Sequence, residues 1–197
     1  MEPFRRHSGR IAVLNEDDID TDRIIPARFL TRVSRVGYGD LLFSDVRGEN
    51  FPLDRPEAAG ADILVAGTNF GCGSSREHAV WAIQQAGFRA VVARRDPDSA
   101  AYSDIFRQNS ANNGLLLIEL TTEENRHLAS MGSGTPVEID LEAQTIRAGG
   151  ECYSFDMDPV NKNAILNGLD LIGTTLTFDS QITAFESGYE SFVGAGA

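Results

Sequence analysis

Short apolar runs alternate with amphipathic stretches through the middle of the chain. DILVAG (62–67) is apolar and bounded by turn residues, the pattern of a buried strand, and RAVVA (89–93) repeats it. Between them SSREHAVWAIQQAG predicts a helix, with Ser74 or Ser75 as its cap and Gly87 after its last turn. Strand, helix and strand at this spacing form a βαβ unit, so the two strands should run parallel with a right-handed crossover. DSAAYSDIFRQNSANNG predicts another helix, closed by Asn or Gly, and LLLIEL (115–120) a further strand. TTEENRHLASM opens with Thr121 and Glu124 at capping-box spacing, so a helix should follow there too.

Elsewhere the period changes. PVEIDLEAQTIRAGGECYSFDM alternates apolar and polar residues in two or three short runs separated by turns, which predicts an antiparallel hairpin. IAVL (11–14) predicts a short strand, and DDIDTDRIIPARFL a turn-rich loop running into a short helix after Pro26, because Pro26 pushes Ile25 towards extended geometry. VGYGDLLF is a glycine-broken connection that ends in a helical turn. RGENFPLDRPEAAGA (47–61) is a connector rather than a domain boundary, since neither side could bury a core alone. NKNAILNGLD predicts a short helix closed by Asn167 and Gly168, and SQITAFESGYESF a carboxy-terminal one. The expected fold class is α/β, a mixed sheet with a parallel βαβ core and an antiparallel hairpin, in one domain over 1–197.

Composition narrows the function classes. With 197 residues, 42% hydrophobic and 23% charged, the chain suits a globular protein with a sizeable core. No apolar run approaches a bilayer span, and the amino terminus has basic residues but no apolar h-region, so a cytoplasmic location is expected. Cys72 and Cys152 lie far apart and match no metal-ligand spacing, so no metal or cofactor is expected on this chain itself. A formal charge of −12 argues against a nucleic-acid partner. It also makes the segment 23–35 informative, with four arginines and no acid; by itself such a segment suits a solvated helical face.

The richest chemistry lies in NFGCGSSREHAVWAI (69–83). The first turn of a helix presents unpartnered N–H groups and the positive end of its dipole, a ready site for an anion. Gly71 and Gly73 let the backbone approach a ligand closely, Ser74 and Ser75 add hydroxyls, and Arg76 adds a planar fork suited to a carboxylate. The plain alternative is a Gly-Ser-Ser turn that only caps a helix. A cap does not need Arg76, and neither a P-loop lysine nor GxGxxG is present, so a small carboxylate fits better than a nucleotide. Ser74 and His78 are spaced for contact on a helix, yet Ser74 is not in a GxSxG elbow, and a capping serine would aim its oxygen away from His78. His78 is therefore expected to support the site by packing behind it; His7 and His127 carry no constellation.

FGCGSSREHAVWA, with DIDTDRIIPARFL upstream and SDIF and NGLD downstream, closely resembles the small subunits of bacterial 3-isopropylmalate dehydratases, of the aconitase superfamily. The likeness runs over nearly the whole chain. It implies a swivelling β/β/α domain that closes over a large subunit, the partner in a heterodimer, in which three cysteines hold a 4Fe-4S cluster. The implied activity is that of a hydro-lyase converting 2-isopropylmalate to 3-isopropylmalate through isopropylmaleate, in leucine biosynthesis.

By the same resemblance Ser74 is the base that removes a proton next to a carboxylate, while Ser75 and Arg76 hold a substrate carboxylate. A serine is a poor base, so its alkoxide would need the helix amides and nearby cations. The substrate-recognition loop corresponds to LTRVSRVG (30–37), with Arg35 the candidate second carboxylate ligand and Arg32 its rival. Leu30, Val33 and Val36 would meet the isopropyl group, and Asp20 and Asp22 would orient the arginines or cap a turn. Two departures from the family pattern stand out. RRDPDSAAY is longer than the usual link, so the helix there is expected to be displaced or extended, and DPVNKNAIL lacks basic residues common in the family at that place. Alternative readings are a related hydro-lyase acting on citramalate, homoaconitate or dimethylmalate, or a non-catalytic carboxylate-binding module.

Overall fold

The computed structural model describes residues 1–188. Strands β1 (Arg6–Val13), β2 (Ile63–Ala66), β3 (Ala90–Arg95), β4 (Leu116–Thr121), β5 (Pro136–Asp140), β6 (Thr145–Ala148) and β7 (Glu151–Ser154) form a sheet of order β4-β3-β2-β1-β5-β6-β7. The first four strands of that order are parallel, and β5, β6 and β7 add antiparallel. The change of direction occurs within β1, whose Arg6–Arg10 half pairs antiparallel with β5 and whose Ile11–Val13 half pairs parallel with β2.

Burial follows from this layout. All four residues of β2 are buried: Leu64 and Ala66 pack on one face with Val80 and Ile83, while Ile63 and Val65 pack on the other with Leu128 and Ile139. A parallel strand covered on both faces reads as a continuous apolar run, as 62–67 does. The antiparallel strands are covered on one face only, so β5 and β6 alternate buried and exposed residues.

The helices are α1 (Thr21–Ile24), α2 (Glu77–Gln85), α3 (Asp104–Asn113), α4 (Thr122–Ser130), α5 (Pro159–Asn167), α6 (Leu171–Leu176) and α7 (Asp179–Gly188). Ile25 is extended (φ −144°, ψ 108°), as Pro26 requires, and the helix expected after Pro26 is a 3-10 turn over Ala27–Phe29. The capping box at Thr121 and Glu124 forms, and α5 ends on Gly168 in the left-handed region. The single-turn α1 and α6 were not expected from the pattern; neither is long enough to carry a period. The carboxy-terminal helix spans Asp179–Gly188, and its expected continuation to 192 lies outside the described residues.

Two expected boundaries are corrected. The helix placed over DSAAYSDIFRQNSANNG begins only at Asp104, capped by Ser103. The preceding residues turn back instead, because Tyr102 is buried with its hydroxyl donating to the carbonyls of Val91 and Ile118, at 2.7 and 2.8 Å. The RRDPDSAAY link therefore lies outside α3. The second correction concerns α2, which opens at Glu77 with Arg76 at the N-cap position, so neither Ser74 nor Ser75 caps it.

Candidate functional site

The site is built where the chain leaves β1 and β2, adjacent parallel strands, at their carboxyl ends. In open α/β sheets this is where ligands bind. The two loops remain paired beyond the strands: Gly67 N–H donates to Glu16 O, Asp18 N–H to Thr68 O, Gly71 N–H to Ile19 O and Thr21 N–H to Cys72 O, all within 2.8–3.0 Å. Arg94, 7% exposed, locks the base of this ribbon by pairing with both Asp17 and Asp96. Asp18 and Asn69 both adopt positive φ (54°) and bond to each other, Nδ2 to Oδ1 at 2.7 Å. Strained backbone of this kind persists only where its surroundings over-determine it.

Thr21 carries the tightest link to the serine turn. It is 1% exposed, and its hydroxyl donates to the carbonyl of Ser74 at 2.9 Å. Gly73 (φ 92°) then turns the chain, and Arg76 is extended (φ −129°, ψ 102°) before α2 begins. Ser74 and Ser75 are left exposed, ahead of a helix whose amides receive no side-chain cap. Helices α1, α3, α4, α5 and α6 all have one. An uncapped helix start fronted by two hydroxyls is suited to an anion.

The glycines have a structural reason that the sequence does not display. A Cβ on Gly71 would collide with the Phe106 ring, so that bare position is used to seat α3 against the loop. The loop is held from that side as well. Asn69 and Phe70 N–H groups donate to Ala100 and Ala101 carbonyls, and the Ser103 hydroxyl donates to Gly71 O at 2.6 Å. The 96–103 link thus supports the serine turn through the Ala100 and Ala101 carbonyls and the Ser103 hydroxyl.

Arg76 is largely buried, 12% exposed at its side chain, and pairs with Asp22. The Arg76 guanidinium beside it holds the Asp22 carboxyl below the usual carboxylate range. Asp20 instead caps α1, its Oδ1 accepting from Arg23 N–H at 2.7 Å. Of the two acids expected to orient Arg32 and Arg35, neither contacts them among the described residues: one orients Arg76 and the other caps a turn.

The four arginines of 23–35 separate. Arg23 pairs with Glu16 and Arg28 with Asp45. Arg32 folds back, its Nη1 donating to Gly37 O at 3.0 Å and its guanidinium over the Phe29 ring. Arg35 lies over the Trp81 ring, 5.1 Å from its centroid, on the outer face of α2. It has no ion pair among the described residues. Leu30 packs against the core, whereas Val33 is fully exposed (101%) and Val36 nearly so (77%).

His78 packs between Tyr38 and Trp81, with ring centroids 5.4 and 4.7 Å away. Burial pushes its imidazole below the ordinary value; Glu77 opposes this, and the charges of Arg35 and Arg76 reinforce it. A neutral ring at neutral pH, under the influence of both guanidinium groups, is a packing element behind the site. Cys72 lies next to the turn, and burial, with Asp20 and Asp18, pushes its thiol up, so it stays protonated. His7 pairs with Asp62 at 2.8 Å, and His127 contacts the Tyr153 hydroxyl at 3.0 Å, both away from this turn.

Ser74 and Ser75 lie at the surface. A groove of about 650 Å³ runs along Arg10, Asp62, Glu138 and Arg147, and neither Ser74, Arg76 nor Arg35 lines it. Among the described residues no group of three or more His, Cys, Asp or Glu could hold a metal ion. No helix among the described residues is long and apolar enough to cross a membrane. Residues missed by sequence reasoning are Thr21 and Ser103, both of which act on backbone. Only Thr21 had a visible signal, as the middle residue of the Asp-Thr-Asp triplet.

Comparison with known proteins matches residues 1–123 to the aconitase C-terminal domain family and residues 126–159 to the LeuD_N family. A 3-isopropylmalate dehydratase small subunit from Bacillus cytotoxicus is 42% identical over 193 residues, covering 94% of this chain and 97% of its own. One from Frankia casuarinae is 43% identical over 192 residues, covering 95% of each. The crystal structure of 3-isopropylmalate dehydratase from Methanocaldococcus jannaschii superposes with a TM-score of 0.67 at 32% identity, over 92% of this chain and 99% of that one.

Proposed function

Because the chain belongs to the family of 3-isopropylmalate dehydratase small subunits, within the aconitase superfamily, we propose that it binds and deprotonates the diacid in a site completed by a large subunit. As a hydro-lyase subunit of leucine biosynthesis it takes part in converting 2-isopropylmalate to 3-isopropylmalate through isopropylmaleate. The whole chain acts as one swivelling domain. The observation that carries the reading is the Ser74–Arg76 turn itself: two exposed hydroxyls before an uncapped helix start, with a buried arginine held by Asp22.

Each residue then has a task. One substrate carboxylate lies against Arg76 and the Ser75 hydroxyl, where the start of α2 adds positive potential. Gly71 and Gly73 shape the turn that presents those groups. Arg35, resting on Trp81 without an acidic partner, takes the second carboxylate in preference to Arg32, whose fork is engaged by Gly37 O. Ser74 Oγ, as the alkoxide, accepts the proton from the carbon next to a carboxylate and becomes a neutral hydroxyl, hydroxide leaves the adjacent carbon, and the C=C bond of isopropylmaleate forms. Rehydration with the two positions exchanged reverses those steps. Leu30, Val33 and Val36 border the alkyl group, a contact worth about 1–3 kcal/mol in discrimination between side chains. The large subunit supplies the 4Fe-4S cluster, which when bound provides a Lewis acid for the departing hydroxyl.

Mixing the purified chain with a cluster-loaded large subunit and following isopropylmaleate hydration tests this. Neither chain alone should turn over, and activity should saturate at equimolar mixing. A large subunit equally active without this chain would refute the reading.

A further inference from the structure

The segment carrying Arg35, Val33 and Val36 is exposed throughout 31–37, yet its far end is held by one side chain. Gln85, the last residue of α2, accepts from the Gly37 and Tyr38 N–H groups through Oε1, both at 2.9 Å, and donates from Nε2 to Arg35 O at 2.7 Å. One amide thus satisfies three backbone groups of the loop. The fit is close: a Cβ on Gly39 would collide with the main chain of Gln85, so the loop can lie on the helix end only with glycine there. One helical turn earlier, on the same ridge, Trp81 supports the Arg35 guanidinium. That ring is itself fixed, its Nε1 donating to Asn113 Oδ1 at 3.0 Å.

We propose that Gln85 is a positioning residue for substrate recognition, pinning the loop so that Arg35 stands over Trp81 on the helix that begins beside Arg76. The inference rests on the reading that Arg35 binds a substrate carboxylate. Gln85 touches no substrate; it pre-orders the arginine that does. Without it the loop must be ordered at the moment of binding, and that cost falls on affinity. The serine turn is held separately, by Thr21, Ser103 and Asp22, so the chemical step is left intact.

In the two-subunit enzyme, Gln85→Leu should raise KM for isopropylmaleate about tenfold while kcat stays within about twofold. Gln85→Glu keeps both acceptor bonds but faces Arg35 O with a carboxylate, and should fall between. Gln85 is exposed, so neither change threatens the core. A second readout is independent of activity: brief trypsin treatment of the full chain should cut after Arg32 and Arg35 faster in Gln85→Leu than in the wild type, relative to other sites. Arg35→Ala is run alongside. If Arg35→Ala raises KM while Gln85→Leu matches wild type in KM and cleavage, the Gln85 role is wrong and the Arg35 reading stands. If Arg35→Ala leaves KM unchanged, the Arg35 reading falls and the Gln85 role with it. Equal loss of kcat and kcat/KM in Gln85→Leu would also overturn the proposal.

Discussion

Ser74→Ala should reduce turnover of the assembled enzyme by about 10²- to 10⁴-fold, the usual contribution of a positioned general base. KM and assembly with the large subunit should stay near wild type. The specificity of this outcome comes from what Ser74 does in the fold. Its side chain is exposed and caps no helix, and its structural bond is made by its carbonyl, which accepts from the Thr21 hydroxyl. Removing the hydroxyl therefore deletes chemistry without deleting support. Steady-state kinetics with isopropylmaleate, together with a titration of subunit association, check it. Turnover within a fewfold of wild type would exclude Ser74 as the base.

Arg76→Lys should act on binding. Lysine keeps the charge but loses the planar fork, so it cannot grip a carboxylate with two parallel bonds while remaining paired with Asp22. A lost charged hydrogen bond of ~1.5–3 kcal/mol corresponds to a rise in KM of about ten- to a hundredfold. The fold should tolerate the change, because the Arg76 side chain caps nothing and Asp22 is half exposed. The folded-state pKa of Asp22 is lowered by Arg76, so the pair's contribution is complete above the ordinary carboxylate value of 3.8 and is lost as pH falls through the lowered one. Kinetics at neutral pH thus report the intact pair. An unchanged KM in Arg76→Lys would remove Arg76 from substrate binding.

Periodicity was enough to place the parallel core. Strands such as 62–67 and 89–93 are buried on both faces and therefore read as unbroken apolar runs, and the alternation after 136 marked the one-sided antiparallel part. The helix start at Thr121 was legible from its capping box, whereas those at Asp104 and Glu77 were misread, the first despite its Ser103 cap. Ser74 looks like a cap because serine usually is one; here its carbonyl is committed to Thr21, 53 positions away, and no local pattern encodes that bond.

The same limit applies to the glycines. Gly71 is bare because of Phe106, a packing partner visible only once α3 crosses the loop. The arginine-rich segment could not be sorted by spacing either. Its four guanidinium groups find partners as different as Glu16, Asp45, Gly37 O and the Trp81 ring, the second and the last of them distant in sequence.

The most direct measurement is a crystal structure of the two-subunit complex with isopropylmaleate or a diacid analogue bound. One carboxylate is predicted against Arg76 and the start of α2, the other against Arg35, with Ser74 Oγ within about 3.5 Å of the carbon that exchanges its proton. A diacid bound away from this turn, with Ser74 and Arg76 facing solvent in the closed complex, would contradict the proposed site.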